Sequence, residues 1–160
     1  MILKDDLIKI IKKEAATTIR VMNAFPADEL SFMPHERSRN AGQLMATFLF
    51  EMYLIESYVF GEKIDRSIFQ TYSPADIQTL ISDFDKESSR VVSMIENMPE
   101  SEMSKSVEFA KKKGTAGDFM LMMIFDQIHH RGQLTIYIRL AGGKVPSVYG
   151  PSADDPTTNL

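Results

Sequence analysis

The chain has 160 residues, of which 44% are hydrophobic and 25% charged, and this is the composition of one globular domain over residues 1–160 with a full apolar core. Its formal net charge of -4 argues against binding to nucleic-acid phosphates, which requires clustered Lys and Arg. The absence of cysteine excludes disulfides, thiolate metal ligands and a cysteine nucleophile, and it suits a reducing cytoplasm.

The first half of the chain predicts two helices. Apolar residues recur at helical spacing from about Asp5 to Ala24, where Pro26 ends the first helix. A loop then leads to a second helix that is capped near Asn40 and ended by Gly61. Charged residues interrupt the longest apolar stretches, so we expect no segment that crosses a membrane.

Two further helices are predicted in the second half. Ser73 and Pro74 supply the N-cap and first-turn proline of a third helix that stops at Pro99. A polar stretch with an extended turn near residues 107–109 precedes the fourth helix, which a Thr115 capping box opens and Gly142 and Gly143 close. The four amphipathic segments show no strand pattern. We therefore predict an all-α fold, an antiparallel four-helix bundle with long loops.

The last segment, residues 144–160, contains three prolines and is predicted to be an extended tail packed on the bundle. Val145, Val148 and Tyr149 are apolar enough to hold it, whereas the residues from Asp154 onward are expected to be exposed and to fray. Covering one end of the bundle is favoured over acting as a lid above a pocket.

A polar pair lies on the apolar face of the fourth helix. Asp126 and His130 share the face of Phe119, Met123, Leu134 and Tyr137, so both are predicted to point inward. A carboxylate and an imidazole one turn apart can be two ligands of a divalent metal, or they can be a buried hydrogen-bonded pair. Arg131 lies about 140° around the helix from Asp126, which makes a pair between these two awkward.

The run Ile128-His129-His130-Arg131-Gly132-Gln133-Leu134 and the tail from Val145 to Ala153 resemble the C-terminal signature of the DinB family. The segments Met33-Pro34-His35-Glu36 and Ala41-Gly42-Gln43-Leu44 extend the resemblance upstream. It implies a four-helix protein of the DinB/YfiT-like type, most of whose members are regarded as metal-binding.

The resemblance also implies where the metal ligands would lie. The family pattern has one histidine on the second helix and two on the fourth, and the last of these corresponds to His130. The other two positions hold Asp126 and Thr47, so two of the three expected histidines are missing. Glu51 shares a helix face with Thr47 and is the substitute ligand nearest to the missing histidine. The candidate metal residues are therefore His130, Asp126, Glu51 and Thr47, whereas no catalytic residue is assigned.

Three hypotheses about function follow. The first is a metal-dependent enzyme with zinc, nickel, manganese or iron, similar to the thiol S-transferases of this superfamily, which join a low-molecular-weight thiol to a small electrophilic substrate. The second is a bundle that has lost its metal and serves as a small-molecule binding or dimerising module. The third, a role on DNA, conflicts with the acidic charge. The apolar surplus on the fourth helix favours a homodimer.

Overall fold

The computed structural model describes residues 2–156. It contains four long helices, a one-turn helix and a short hairpin, with bounds α1 Lys4–Asn23, α2 Ala41–Ile55, α3 Ile68–Thr71, α4 Ile77–Asn97, β1 Ser106–Phe109, β2 Lys112–Thr115 and α5 Ala116–Leu140. Short 3-10 turns at Ala27–Glu29 and Glu100–Ser104 follow α1 and α4. The four long helices confirm the predicted bundle.

The long helices do not follow one another around the bundle. α1 packs mainly against α4 and α5, and α2 packs mainly against the same two helices. The two helices joined by each long connection, α1 to α2 and α4 to α5, therefore lie diagonally opposite. One continuous cluster of buried apolar side chains fills the space between them, including Leu7, Phe48, Phe84 and Ile138.

The beginning and end of α2 follow the predicted signals. The Asn40 side chain accepts the backbone N–H of Gln43 at 2.8 Å, and the Gln43 side chain accepts the N–H of Asn40 at 3.1 Å. After Ile55 the helix widens into a π-helical turn, Glu56–Phe60, and Gly61 ends it with a left-handed φ of 76°. Glu51 lies midway along this continuous helical segment, which packs against both α4 and α5.

The predicted start of the third long helix was wrong. α4 begins at Ile77, not at Ser73 and Pro74, because Asp76 adopts an extended conformation and accepts the backbone N–H of Thr79 at 2.7 Å. The segment between Gly61 and Ser73, where no helix was predicted, contains α3. The extended turn predicted near residues 107–109 is one strand of the β1–β2 hairpin, which turns through the positive φ angles of Ala110 and Lys111.

The tail packs against the bundle, as far as the structure describes it. Val145 is buried, and the Ser152 hydroxyl donates to its carbonyl at 2.6 Å. The expectation that the chain frays from Asp154 onward was wrong at its first two positions. Asp154 accepts from Arg139 at 3.0 Å and Asp155 accepts the backbone N–H of Ser147, so both fasten the tail. Residues 157–160 lie outside the described part.

No helix within residues 2–156 combines the length and the apolar character needed to cross a lipid bilayer.

Candidate metal centre

The polar pair on α5 lies at the edge of the bundle. Asp126 Oδ2 lies 3.6 Å from His130 Nε2, as the spacing of one helical turn allows. The His130 side chain is 15% exposed, whereas that of Asp126 is 48% exposed. The prediction that both residues point inward is thus correct for His130 only, and Asp126 connects the site to solvent.

Glu51 on α2 faces this pair from inside the bundle. Its side chain is 2% exposed, and Oε1 lies 4.0 Å from His130 Nε2. Neither carboxylate oxygen has a hydrogen-bond partner among the described residues. A carboxylate buried without a partner costs several kcal/mol, so this group requires either a proton or a cation.

The other buried glutamates of residues 2–156 show how this chain normally compensates such a charge. Each of them faces an arginine: Glu14 faces Arg131, and both Glu56 and Glu87 face Arg90. Glu51 has no Lys or Arg within ion-pair distance, and its nearest basic group is the His130 ring. Glu51 is therefore the one buried glutamate of this region that lacks a permanent counter-charge.

Burial, and then the neighbouring Asp126 carboxylate, raise the pKa of Glu51 to about 10. The Arg39 guanidinium opposes this rise, but it does so from outside ion-pair distance. Without a cation, Glu51 is consequently a neutral acid at physiological pH. A divalent ion would reverse this balance, because it favours the ionised carboxylate in the same way as any adjacent positive charge.

The three residues together fit a metal ion. One ligand atom from each of Glu51, Asp126 and His130 lies within 4.8 Å of the other two. Two carboxylates and one imidazole form a donor set that zinc, manganese, iron and nickel accept, and three protein ligands leave coordination positions open. The buried, unpartnered carboxylate of Glu51 is the structural observation that supports this fit.

A second layer of hydrogen bonds orients the imidazole. Oε1 of Gln133 lies 3.1 Å from His130 Nδ1, and Nε2 of Gln133 lies 3.0 Å from His129 Nε2. A carbonyl oxygen can only accept, so this pairing places the ring proton of His130 on Nδ1 and leaves the Nε2 lone pair directed toward Glu51 and Asp126. Exposed His129 thus contributes through Gln133, a role that its position off the apolar face did not indicate.

Thr47 lies one turn before Glu51 on α2 and holds a different group. Its hydroxyl accepts a hydrogen bond from Arg39 Nη1 at 2.8 Å and donates to the Gln43 carbonyl at 3.2 Å. The Arg39 carbonyl in turn accepts from the Tyr137 hydroxyl at 2.9 Å. Thr47 therefore positions an arginine beside the three clustered residues.

Arg131 has a structural partner that sequence reasoning missed. Its side chain is 2% exposed, and its Nη2 contacts Glu14 Oε2 of α1 at 2.5 Å. Its Nη1 donates to Thr18 at 3.1 Å, and the Tyr149 hydroxyl of the tail donates to Glu14 at 2.6 Å. This network joins α1, α5 and the tail, and it keeps Arg131 away from Asp126. The signal available in the sequence was Glu14, a charged residue within the apolar stripe of the first helix.

Comparison with known proteins identifies the family and the fold. A model of the DinB family matches residues 1–160. A DinB-like protein from Bacillus cereus has a similar structure, with a TM-score of 0.80 and 20% identity over 91% of this chain and 97% of that one. YfiT from Bacillus subtilis, described as a probable metal-dependent hydrolase with an unusual four-helix bundle topology, gives a TM-score of 0.68 and 11% identity over 87% of each chain. At these identities the two structures establish the fold.

One relative is similar in sequence over a shorter range. The uncharacterized protein YrdA of Bacillus subtilis is 34% identical over 53 residues, which are 33% of this chain and 32% of YrdA. The chain therefore matches about a third of the length of this relative.

Proposed function

Because the chain belongs to the DinB family, we propose that Glu51, Asp126 and His130 hold one divalent metal ion and that the protein is a metal-dependent enzyme acting on a small molecule. The buried Glu51 carboxylate, which has no other counter-charge, carries this proposal. Thr47 occupies the position of the second-helix histidine of the family pattern, and Glu51, one turn later, supplies the ligand instead. Thr47 supports the site because its hydroxyl binds Arg39. The metal is zinc, nickel, manganese or iron.

Metal content tests the proposal directly. Protein purified without chelator is dialysed against zinc, manganese, nickel or iron(II) in separate samples, and the bound ion is measured by elemental analysis. We expect about one ion per chain in the parent and in His35→Ala, which removes an exposed loop histidine as a control. His130→Ala and Asp126→Ala should lose it. A parent that binds none of these ions would contradict the enzyme proposal and favour a small-molecule binding module.

The reaction we propose is transfer of a low-molecular-weight thiol to an electrophile. A bound divalent ion supplies a positive charge that favours a thiolate or a hydroxide at neutral pH. The chain has no cysteine, so the thiol must be a cosubstrate. The half-exposed Asp126 leaves that cosubstrate an open approach, and Gln133 keeps His130 from rotating. Hydrolysis, the activity described as probable for YfiT, is the second candidate because the same donor set serves both reactions.

Two assays separate these reactions. In the first, glutathione attacks 1-chloro-2,4-dinitrobenzene: a carbon–sulfur bond forms, chloride leaves and the thiol proton passes to solvent. In the second, a nitrophenyl ester is hydrolysed by water. We expect metal-loaded parent to accelerate the first reaction, and His130→Ala to reduce that rate at least a hundredfold, with His35→Ala unchanged. If the metal-loaded parent accelerates only the ester reaction, the proposed activity is hydrolysis and not thiol transfer.

We also propose that α5 pairs with a second copy of this chain. Met122, Phe125, Ile136 and Leu140 form an exposed apolar stripe along its outer face. Along the sequence, Met122 and Leu140 are equally far from position 131. Phe125 and Ile136 are almost symmetric about the same position. An antiparallel copy would therefore place Phe125 against Ile136 of the partner subunit over a stripe of about 27 Å.

The oligomeric state in solution tests this pairing. Sedimentation velocity should show a dimer for the parent, and Phe125→Lys should shift it to monomer because a charge would face Ile136 of the partner subunit in both symmetric contacts. Met33→Lys is the matched control, since Met33 is exposed and apolar but lies in the loop before α2. A monomeric parent, or a dimer that survives Phe125→Lys, would contradict the proposal.

A further inference from the structure

A cleft of about 720 Å³ lies beside the candidate metal centre and is not formed by its ligands. Its walls are the loop before α2, one face of α2 from Gly42 to Phe50, and the segment from Phe69 to Pro74, which begins within α3 and ends before α4. This volume is in the range of small-molecule sites. The cleft is therefore large enough to hold the substrate that the centre would act on.

The charge of the cleft has one sign. Among the described residues that line it, Arg39 is the single charged side chain, and no Asp or Glu is present. No carboxylate of residues 2–156 forms an ion pair with Arg39. A guanidinium presents five N–H donors in a fixed fork, which matches a carboxylate or a phosphate.

Hydrogen bonds hold both the backbone and the side chain of Arg39. The Tyr137 hydroxyl of α5 donates to its backbone carbonyl at 2.9 Å, and Nη1 of its side chain donates to Thr47 at 2.8 Å. This side-chain bond is the one that the structure gives the guanidinium among residues 2–156, so its other donors are available to a ligand. A positioned arginine loses less side-chain freedom on binding than a free one.

Three aromatic rings also line the cleft and form its aromatic wall. The Phe50 ring contacts the edges of Phe69, at a centroid distance of 4.9 Å, and Tyr72, at 5.9 Å. The Tyr72 hydroxyl donates to Asp83 at 2.7 Å, which fixes its ring and directs its polar atom to α4. These three rings line the cleft with apolar surface suited to a planar or hydrocarbon group.

The cleft connects with the centre through α2. Thr47, which lines the cleft, lies one turn before Glu51, and Tyr137, which holds Arg39, lies two turns after His130. An anion on Arg39 would therefore lie beside the clustered ligands with the rest of the molecule along the aromatic wall.

We propose that this cleft binds a small molecule with an anionic group, a carboxylate or a phosphate, attached to an aromatic or apolar body, and that Arg39 receives the anion. As the substrate site of the enzyme, the inference rests on the proposed function. Binding of the anion itself needs only the cleft and Arg39.

Three probes of similar shape test it: phenylacetate, phenyl phosphate and the neutral phenylacetamide. Dissociation constants are measured by NMR titration of metal-free parent and of Arg39→Met, Phe69→Ala and Arg37→Met. Arg37 is an exposed arginine of the same loop that does not line the cleft, so its variant controls for net charge. Metal content is measured on separately loaded samples of the same proteins.

We expect the parent and Arg37→Met to bind both anions at least tenfold more tightly than phenylacetamide. Arg39→Met should lose this preference and bind all three probes alike, whereas Phe69→Ala should weaken all three. Equal affinity of the parent for anion and amide, an unchanged preference in Arg39→Met, or no saturable binding up to 20 mM would overturn the inference. A parent that binds the anions but takes up no metal when loaded would instead refute the proposed function. Failure of the cleft proposal and failure of the metal proposal are therefore distinguishable.

Discussion

Replacing Glu51 by glutamine should increase the stability of the metal-free protein. The same substitution should abolish metal binding. The pKa of Glu51 is about 10 in the folded chain, against an ordinary value of 4.5. At pH 7 the folded chain must keep this carboxyl protonated while the unfolded chain ionises it. Over the 2.5 pH units between 4.5 and 7, at about 1.36 kcal/mol per unit, this costs folding roughly 3 kcal/mol. Glutamine has the same shape and does not ionise, so Glu51→Gln should recover most of that free energy.

The dependence on pH has a definite sign. Because the folded-state pKa is raised, the contribution of Glu51 is most favourable below pH 4.5 and is lost as the pH rises toward 10. The free energy of unfolding of the metal-free parent should therefore fall with pH faster than that of Glu51→Gln. A saturating divalent ion should restore the parent by about 2.7 kcal/mol at a hundredfold excess over the dissociation constant and leave the variant unchanged.

Urea unfolding in the presence of chelator, at pH 5, 7 and 9, measures both effects. Glu62→Gln, at an exposed loop position, is the matched control and should follow the parent. A Glu51→Gln protein that is no more stable than the metal-free parent at pH 7, or that shows the same dependence on pH, would mean that Glu51 is not a buried neutral acid.

The remaining predictions concern stability. Arg131→Met leaves the Glu14 carboxylate buried without its counter-charge and should cost about 3–5 kcal/mol in urea unfolding. Tyr149→Phe removes the hydroxyl that joins the tail to this pair; it should cost about 1 kcal/mol and speed proteolysis of the tail. Although Glu56 faces Arg90, burial and the neighbouring Glu87 carboxyl raise its pKa to about 8, so Glu56→Gln should lose less stability than the parent between pH 5 and 8. Asn40→Ala removes the α2 cap and should cost about 1 kcal/mol.

Each of these has an outcome that contradicts it. An Arg131→Met protein as stable as the parent would mean that the buried pair contributes nothing, and a tail of unchanged protease sensitivity in Tyr149→Phe would mean that other contacts hold it. Parallel pH profiles of the parent and Glu56→Gln would show that Glu56 ionises normally. An Asn40→Ala protein with unchanged stability would place the cap among the dispensable contacts.

Local signals predicted most of the helix ends. The Asn40 cap, the Thr115 capping box and Gly61 all act within a few residues, so their effects can be read from sequence. The α4 start was missed because two capping signals lie close together, and Asp76 provides the cap instead of Ser73. The order of the helices in space was not predictable in this way, because periodicity identifies an apolar face but not the helix that covers it.

The candidate metal site, like the fold, was predicted only where local sequence determines it. Helical spacing paired Asp126 with His130, and the family pattern pointed to Glu51, which the structure places opposite them. The exposure of Asp126, the pairing of Arg131 with Glu14 and the orientation of His130 by Gln133 all depend on neighbours distant in sequence or on side-chain rotamers. The cleft could not be predicted from the sequence because its walls come from three separate segments of the chain.

The most direct test of the metal centre is anomalous scattering from crystals grown with zinc or manganese. We expect one strong peak between α2 and α5, at about 2.0–2.2 Å from the His130 Nε2 atom and from carboxylate oxygens of Glu51 and Asp126. A peak located instead on His35 or His129, or no peak in crystals that contain the ion, would contradict the proposed metal centre.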